Sequence, residues 1–140
     1  MISQHDPNQS ASAQLLNETQ GNAVVANKVQ FATSFLERAV GLMGKRDLPN
    51  GQTLLIKGTK YAACNSVHTC FMRFPIDVVF VDDEMKVRSI VRNLKPWRIT
   101  WPAFGATCAF EFSAGQAPAE LKLGDALKIR ASDGVDHVGN

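Results

Sequence analysis

The stretch Cys64-Asn-Ser-Val-His-Thr-Cys-Phe-Met-Arg-Phe-Pro-Ile-Asp77 gathers two of three cysteines, one of three histidines and an Arg/Asp pair within fourteen residues. Thiol, imidazole, guanidinium and carboxylate groups are those from which nucleophiles, general bases and metal sites are built. Two chemistries fit these types and spacings. With Cys64 as nucleophile, His68 as base and Asp77 orienting the imidazole, the segment would serve a thiol-dependent enzyme, because a nearby imidazole favours the thiolate and a carboxylate fixes the tautomer. Alternatively, the Cys-x3-His-x-Cys cluster of Cys64, His68 and Cys70 would offer zinc or copper(I) soft ligands, completed by Cys108, His5, His137 or Asp77. An extended backbone puts residues 64, 68 and 70 on one face, since their separations are even, so both readings stay open. Beside them stands a structural reading, in which the cysteines are small core residues and His68 hydrogen-bonds locally. No reaction type follows, and no cofactor is expected.

A second constellation is Lys95-Pro-Trp-Arg-Ile-Thr-Trp-Pro102. Trp supplies large contact area and Arg can pair or stack, so Trp97, Arg98 and Trp101, with His68 and Arg73, form a candidate surface for a small ligand or a protein. The alternative is a long connection packed over one end of the domain. Arg73 and Asp77 flank Pro75, and an ion pair between them would close the bend before the next strand. In a functional version, Arg73 and Arg38 would bind an anionic group. Fifteen Lys+Arg against thirteen Asp+Glu give a net charge of +2, which argues against a dedicated nucleic-acid binder.

These groups must be positioned by one domain, since 140 residues with 45% hydrophobic content suit a single core. Residues 1–22 are rich in Gln, Asn, Ser and Ala and read as a disordered tail; residues 23–130 read as the domain and 131–140 as a flexible ending. The odd cysteine count suggests free thiols in a reducing compartment. No basic segment followed by an apolar core opens the chain, and no apolar run approaches the roughly 20 residues of a membrane helix, so a cytoplasmic location without a membrane span is expected.

The dominant rhythm is strand-like. Val24, Val25, Val29 and Phe31 suggest an opening strand, Thr53-Leu-Leu-Ile56 a second and Ile76-Asp-Val-Val-Phe-Val81 a third. A turn at Asp82-Asp-Glu84 leads into Met85-Lys-Val-Arg-Ser-Ile-Val91, whose alternation predicts Met85, Val87, Ser89 and Val91 on one face of a hairpin. Thr107-Cys-Ala-Phe-Glu-Phe112 and Ala126-Leu-Lys-Ile-Arg130 read as two more strands, the latter entered through Gly124-Asp125. Ser34-Phe-Leu-Glu37 is a capping box, and Phe35, Ala39, Leu42 and Met43 continue at helical spacing to Gly44. A further helical turn is expected over 117–121. About six or more short strands with one or two short helices predict a mainly β (α+β) domain, closed as a small barrel or a sandwich.

Five pieces then stand in a familiar order: Arg38-x-x-Gly-Leu-Met43, Ser66-Val-His-Thr69, Met72-Arg-Phe-Pro-Ile-Asp-Val-Val-Phe80, Phe110-Glu-Phe-x-Ala-Gly115 and Gly124-Asp125. In order and spacing they resemble the bacterial and archaeal family called domain of unknown function 192, over about residues 28 to 130. The resemblance implies a compact mainly β domain, often a protein by itself and in many members exported or membrane-tethered. It implies no established activity. Cys64 and His68 look like a feature of one branch, and Cys70 falls where the family carries an aromatic or aliphatic residue.

Overall fold

The computed structural model describes residues 12–32, 47–58 and 65–131. Eight strands follow in chain order: β1 (Ala13–Asn17), β2 (Ala23–Ala26), β3 (Lys28–Ala32), β4 (Gln52–Lys57), β5 (Ile76–Val81), β6 (Val87–Leu94), β7 (Cys108–Ser113) and β8 (Leu127–Ala131). They make a three-stranded sheet, β2-β1-β8, and a five-stranded sheet, β3-β4-β7-β5-β6. Within these sheets only β3 and β4 run parallel. The protein is therefore mainly β, and the sheets are not closed into the expected barrel. They are stitched by an isolated antiparallel bridge between Lys86 and Ala126.

The central strands explain why β5 reads as an apolar run interrupted only by Asp77. Every residue of β5 is buried. Val79 and Val81 join Phe110 and Phe112 of β7 in a core shared with Leu15, Val25 and Leu127 of the other sheet. Ile76, Val78 and Phe80 point the opposite way, into a second cluster with Leu54, Val67, Met72 and Phe74. A strand covered on both faces has no wet side, so period-2 alternation disappears.

Several expectations need correction. Leu15 and Leu16, placed in a disordered tail, sit in β1 and are 0% and 1% exposed. Their partner strand is β8, where Leu15 pairs with Ile129, so a short hydrophobic segment is completed from the far end of the chain. The single opening strand is two, β2 and β3, which belong to different sheets. Over 117–121 the chain makes a turn rather than helix, with Leu121 N–H donating to Pro118 O. The helix expected from Ser34 to Gly44 lies outside the described residues.

The hairpin after β5 is present, but its alternation is not the simple one. Phe80 pairs with Ser89 and Val81 with Val87, leaving Arg88 as an extra residue. Such a bulge shifts the side-chain phase, and Ile90 packs on the shared core whereas Val91 packs on the second cluster. Asp82 holds the turn: Oδ1 accepts from the N–H groups of Glu84 and Lys86, and Oδ2 accepts from Arg88 Nε at 2.7 Å. Burial alone would raise this carboxyl, but those donors and the guanidinium hold it below its ordinary pKa. Asp125 does the same at the β8 entrance, accepting from Asn17, Gln20 and the Lys122 N–H.

Candidate functional site

Two segments, residues 65–72 before β5 and 95–103 after β6 with the turn at 103–106 that ends it, form an irregular antiparallel ribbon over the second cluster. Thr69 and Thr100 close it. Thr69 Oγ1 donates to Lys95 O at 2.6 Å and accepts from Arg98 N–H at 2.9 Å. The main chain of Thr69 donates to Arg98 O and accepts from Trp97 N–H. One turn along, Val67 N–H donates to Thr100 Oγ1, and Thr100 N–H returns to Val67 O. His68 and Ile99 stand opposite one another in a bridge. Because alternate residues point to opposite sides, Val67, Thr69 and Thr100 are buried while His68 and Ile99 face out.

What faces out is unusually apolar. Phe71 is 65% exposed, Trp97 59%, Ile99 73%, Trp101 92% and Phe104 85%. Single exposed apolar residues are ordinary, but a group on one hydrogen-bonded feature is a signal of contact. The rings of Phe71 and Trp97 lie 4.8 Å apart at 59°. Both residues have φ of 63°, a left-handed conformation in which bulky side chains cost about 1–2 kcal/mol. In residues 69–72 the turn is closed by Met72 N–H donating to Thr69 O, and Phe71 takes the third place, where glycine is the usual residue. The ribbon thus carries strained aromatics outward on a fixed backbone.

Of the residues singled out from sequence, His68, Trp97, Arg98 and Trp101 come together on this ribbon, and Arg73 follows it as an exposed residue. His68 Nδ1 accepts from Cys70 N–H at 3.3 Å, so the neutral ring carries its proton on Nε2. Cys70 is a half-buried free thiol. Cys64 and Arg38 lie outside the described residues. Among the described residues no group of three His, Cys, Asp or Glu side chains is arranged to hold a metal ion.

Asp77 is not placed to orient His68. It is buried, and its Oδ1 accepts from Asn93 N–H while Oδ2 accepts from Gly115 and Ala117 N–H. Among the described residues its ion-pair partner is Arg92, at 4.0 Å, rather than Arg73. Asn93 has a φ of 53° and lies where β6 carries an extra residue opposite Asp77. The carboxylate therefore satisfies the irregular backbone of a bulge and of the turn after β7. This is an architectural role, and it explains a charge inside β5.

Sequence reasoning missed Phe71, Ile99 and Phe104 as surface residues and Glu111 as a buried one. Glu111 lies mid-β7, opposite Leu54 and Val78, and is 4% exposed. No donor from the described residues reaches its carboxyl, and burial raises its pKa to about 7. The signal was Phe110-Glu-Phe112: with both rings in the shared core, the glutamate faces the second cluster.

A family model described as Uncharacterized ACR, domain of unknown function 192, matches residues 16–129. The UPF0127 protein of Pyrococcus horikoshii is 33% identical over 115 residues, covering 81% of this chain and 96% of that protein. Its counterpart in Pyrococcus furiosus is 32% identical over the same shares. A crystal structure from Novosphingobium aromaticivorans, of unknown function, matches with a TM-score of 0.69 at 24% identity, covering 84% of this chain and 83% of that one. A Sinorhizobium meliloti structure, provisionally titled a transcription regulator, matches with a TM-score of 0.69 at 19% identity over 83% and 90% of the two chains. The last two are likenesses of fold. By the family match and the archaeal relatives, this chain belongs to the uncharacterised DUF192 (UPF0127) family.

Proposed function

We propose that the protein is a small binding or accessory domain whose contact surface is the aromatic ribbon around His68 and the Trp97–Trp101 loop, with Arg73 and Arg98 at its margin. The observation that carries this reading is the exposure of five large apolar side chains on a backbone held by Thr69 and Thr100. Aromatic residues of this kind dominate contact energies when a partner covers them. The shared core between the two sheets supports a sandwich-like scaffold beneath it.

No observation among the described residues favours the thiol or metal alternative. A transcription-regulator role of the kind named for the Sinorhizobium meliloti protein would call for nucleic acid, which the net charge of +2 does not favour. Affinity capture with the wild-type protein and a Trp101→Ala/Phe104→Ala variant tests the reading. Ligands lost by a variant that unfolds like the wild type support it; identical capture by both proteins overturns it.

A further inference from the structure

The ribbon's charge narrows the class of its partner. Residues 65–75 and 95–107 contain Arg73, Lys95 and Arg98 and no Asp or Glu. All three cations are exposed, and none of them forms an ion pair with a carboxylate among the described residues. Elsewhere cations are interleaved with carboxylates, and three are paired: Arg88 with Asp82, Lys86 with Glu84 and Lys128 with Glu18. A second copy of this chain would bring like charge against like charge, so the surface is not matched to itself.

We infer that the ribbon is a membrane-surface contact, in which Trp101, Phe104 and Ile99 enter the headgroup region of an anionic bilayer while Arg73, Lys95 and Arg98 pair with lipid phosphates. This inference rests on the ribbon being the contact surface. Three features favour lipid over other polyanions. Trp is the residue most suited to the water–hydrocarbon boundary, and the mixture of ring and aliphatic groups suits an apolar medium better than a stack of bases. The Phe71 and Trp97 rings are turned toward each other at 59°, so they offer no parallel platform for successive bases. An unbroken set of cations beside an inserted apolar group is also the composition of proteins that lie on a bilayer without crossing it. No helix of the described residues is long and apolar enough to cross one.

The chain has two tryptophans, both on this ribbon, so tryptophan fluorescence, excited where Tyr61 does not absorb, reports on it alone. Adding phosphatidylcholine vesicles with about 30% phosphatidylglycerol should blue-shift the emission and shield it from aqueous iodide, with binding at least about tenfold weaker to pure phosphatidylcholine. Raising NaCl from about 0.05 to about 0.5 M should reverse most of it. In co-sedimentation, Trp101→Ala and Arg98→Glu should each lower the bound fraction at least about fivefold without changing circular dichroism. No shift on anionic vesicles, or equal binding to neutral ones, overturns the membrane inference. If an oligothymidylate instead quenches the emission through Trp101, or a captured protein depends on Trp101, the contact surface stands and the bilayer does not. If vesicles, oligothymidylate and captured proteins are all indifferent to Trp101, both readings fall.

Discussion

Strand β5 and the ribbon, whose first segment precedes β5 and whose second follows β6, are both rich in large apolar residues, yet they end in opposite surroundings. All six residues of β5 are buried, whereas Phe71, Trp97, Ile99, Trp101 and Phe104 are more than half exposed. Loose backbone does not explain the difference, since the ribbon is closed by the hydrogen bonds of Thr69 and Thr100. The two regions are thus ordered to different ends: β5 spends its apolar area on the core, and the ribbon holds its own available.

The largest expected contrast comes from truncating one ring in each region. Phe110 is fully buried beside β5 in the shared core, so Phe110→Ala should lower the unfolding free energy by about 4 kcal/mol. Trp101 touches little, and Trp101→Ala should change it by less than about 0.5 kcal/mol. Urea unfolding followed by circular dichroism measures both. A Trp101 variant as unstable as the Phe110 one would mean that the ribbon belongs to the core.

The buried carboxyl of Glu111 sharpens the same comparison from the inside. Burial raises its pKa from the ordinary 4.5 to about 7, so between those values the folded protein keeps a proton that the unfolded chain has released. Stability therefore falls as pH rises through that window, by about 3 kcal/mol once pH exceeds 7. Glu111→Gln should remove the slope and be the more stable protein at pH 8, as thermal unfolding across pH would record. Asp82 and Asp125 act oppositely. Their carboxyls are held below the ordinary value by hydrogen bonds that outweigh burial, so their contribution is present above that value and is lost on acidification. A stability profile that is unchanged by Glu111→Gln would show that the carboxyl is solvated.

How much of this could be read from sequence depended on whether the deciding partner was local. Short runs of β-branched, aromatic and aliphatic residues pointed to β4, β5, β7 and β8, and Asp82-Asp83-Glu84 to the hairpin, because turn chemistry and strand preference act over a few residues. β1 stayed hidden in a Gln- and Asn-rich stretch because what buries Leu15 and Leu16 comes from β8, more than a hundred residues away. The phase change in β6 arises from bulges, which no alternation rule anticipates. His68, Arg73, Trp97, Arg98 and Trp101 were legible as a surface because tryptophan, proline and arginine crowd into one loop. Phe71, Ile99 and Phe104 were not, since apolar residues are expected inside. Asp77 was read as chemistry because its type allows chemistry, while its hydrogen bonds to Asn93, Gly115 and Ala117 are long-range.

Thr69 separates the ribbon's order from its composition. Its hydroxyl donates to Lys95 O and accepts from Arg98 N–H within a fully buried residue. Thr69→Val keeps the shape but removes both bonds and leaves Arg98 N–H and Lys95 O short of partners, costing about 2 kcal/mol. Amide exchange should speed up at residues 97–100 while the amides of β5 keep their protection, because the two regions draw on different bonds. Uniform loss of protection would make the ribbon and the sheet one cooperative unit.

The most discriminating substitution is at Phe71, where opposing changes should leave stability nearly level. Its φ of 63° suits glycine and strains a bulky ring. Phe71→Gly relieves that strain, but it gives up the contact with Trp97 and adds freedom to the unfolded chain. These opposing changes are each about 1 kcal/mol, so the variant should unfold within about 1 kcal/mol of the wild type. Its hold on whatever the ribbon contacts should fall several-fold all the same, because an exposed ring has been removed. A ring kept for packing would show the reverse order, with clear loss of stability and unchanged binding. Near-equal stability with weakened binding would mean that the chain tolerates a strained backbone at Phe71 in order to present an aromatic side chain outward.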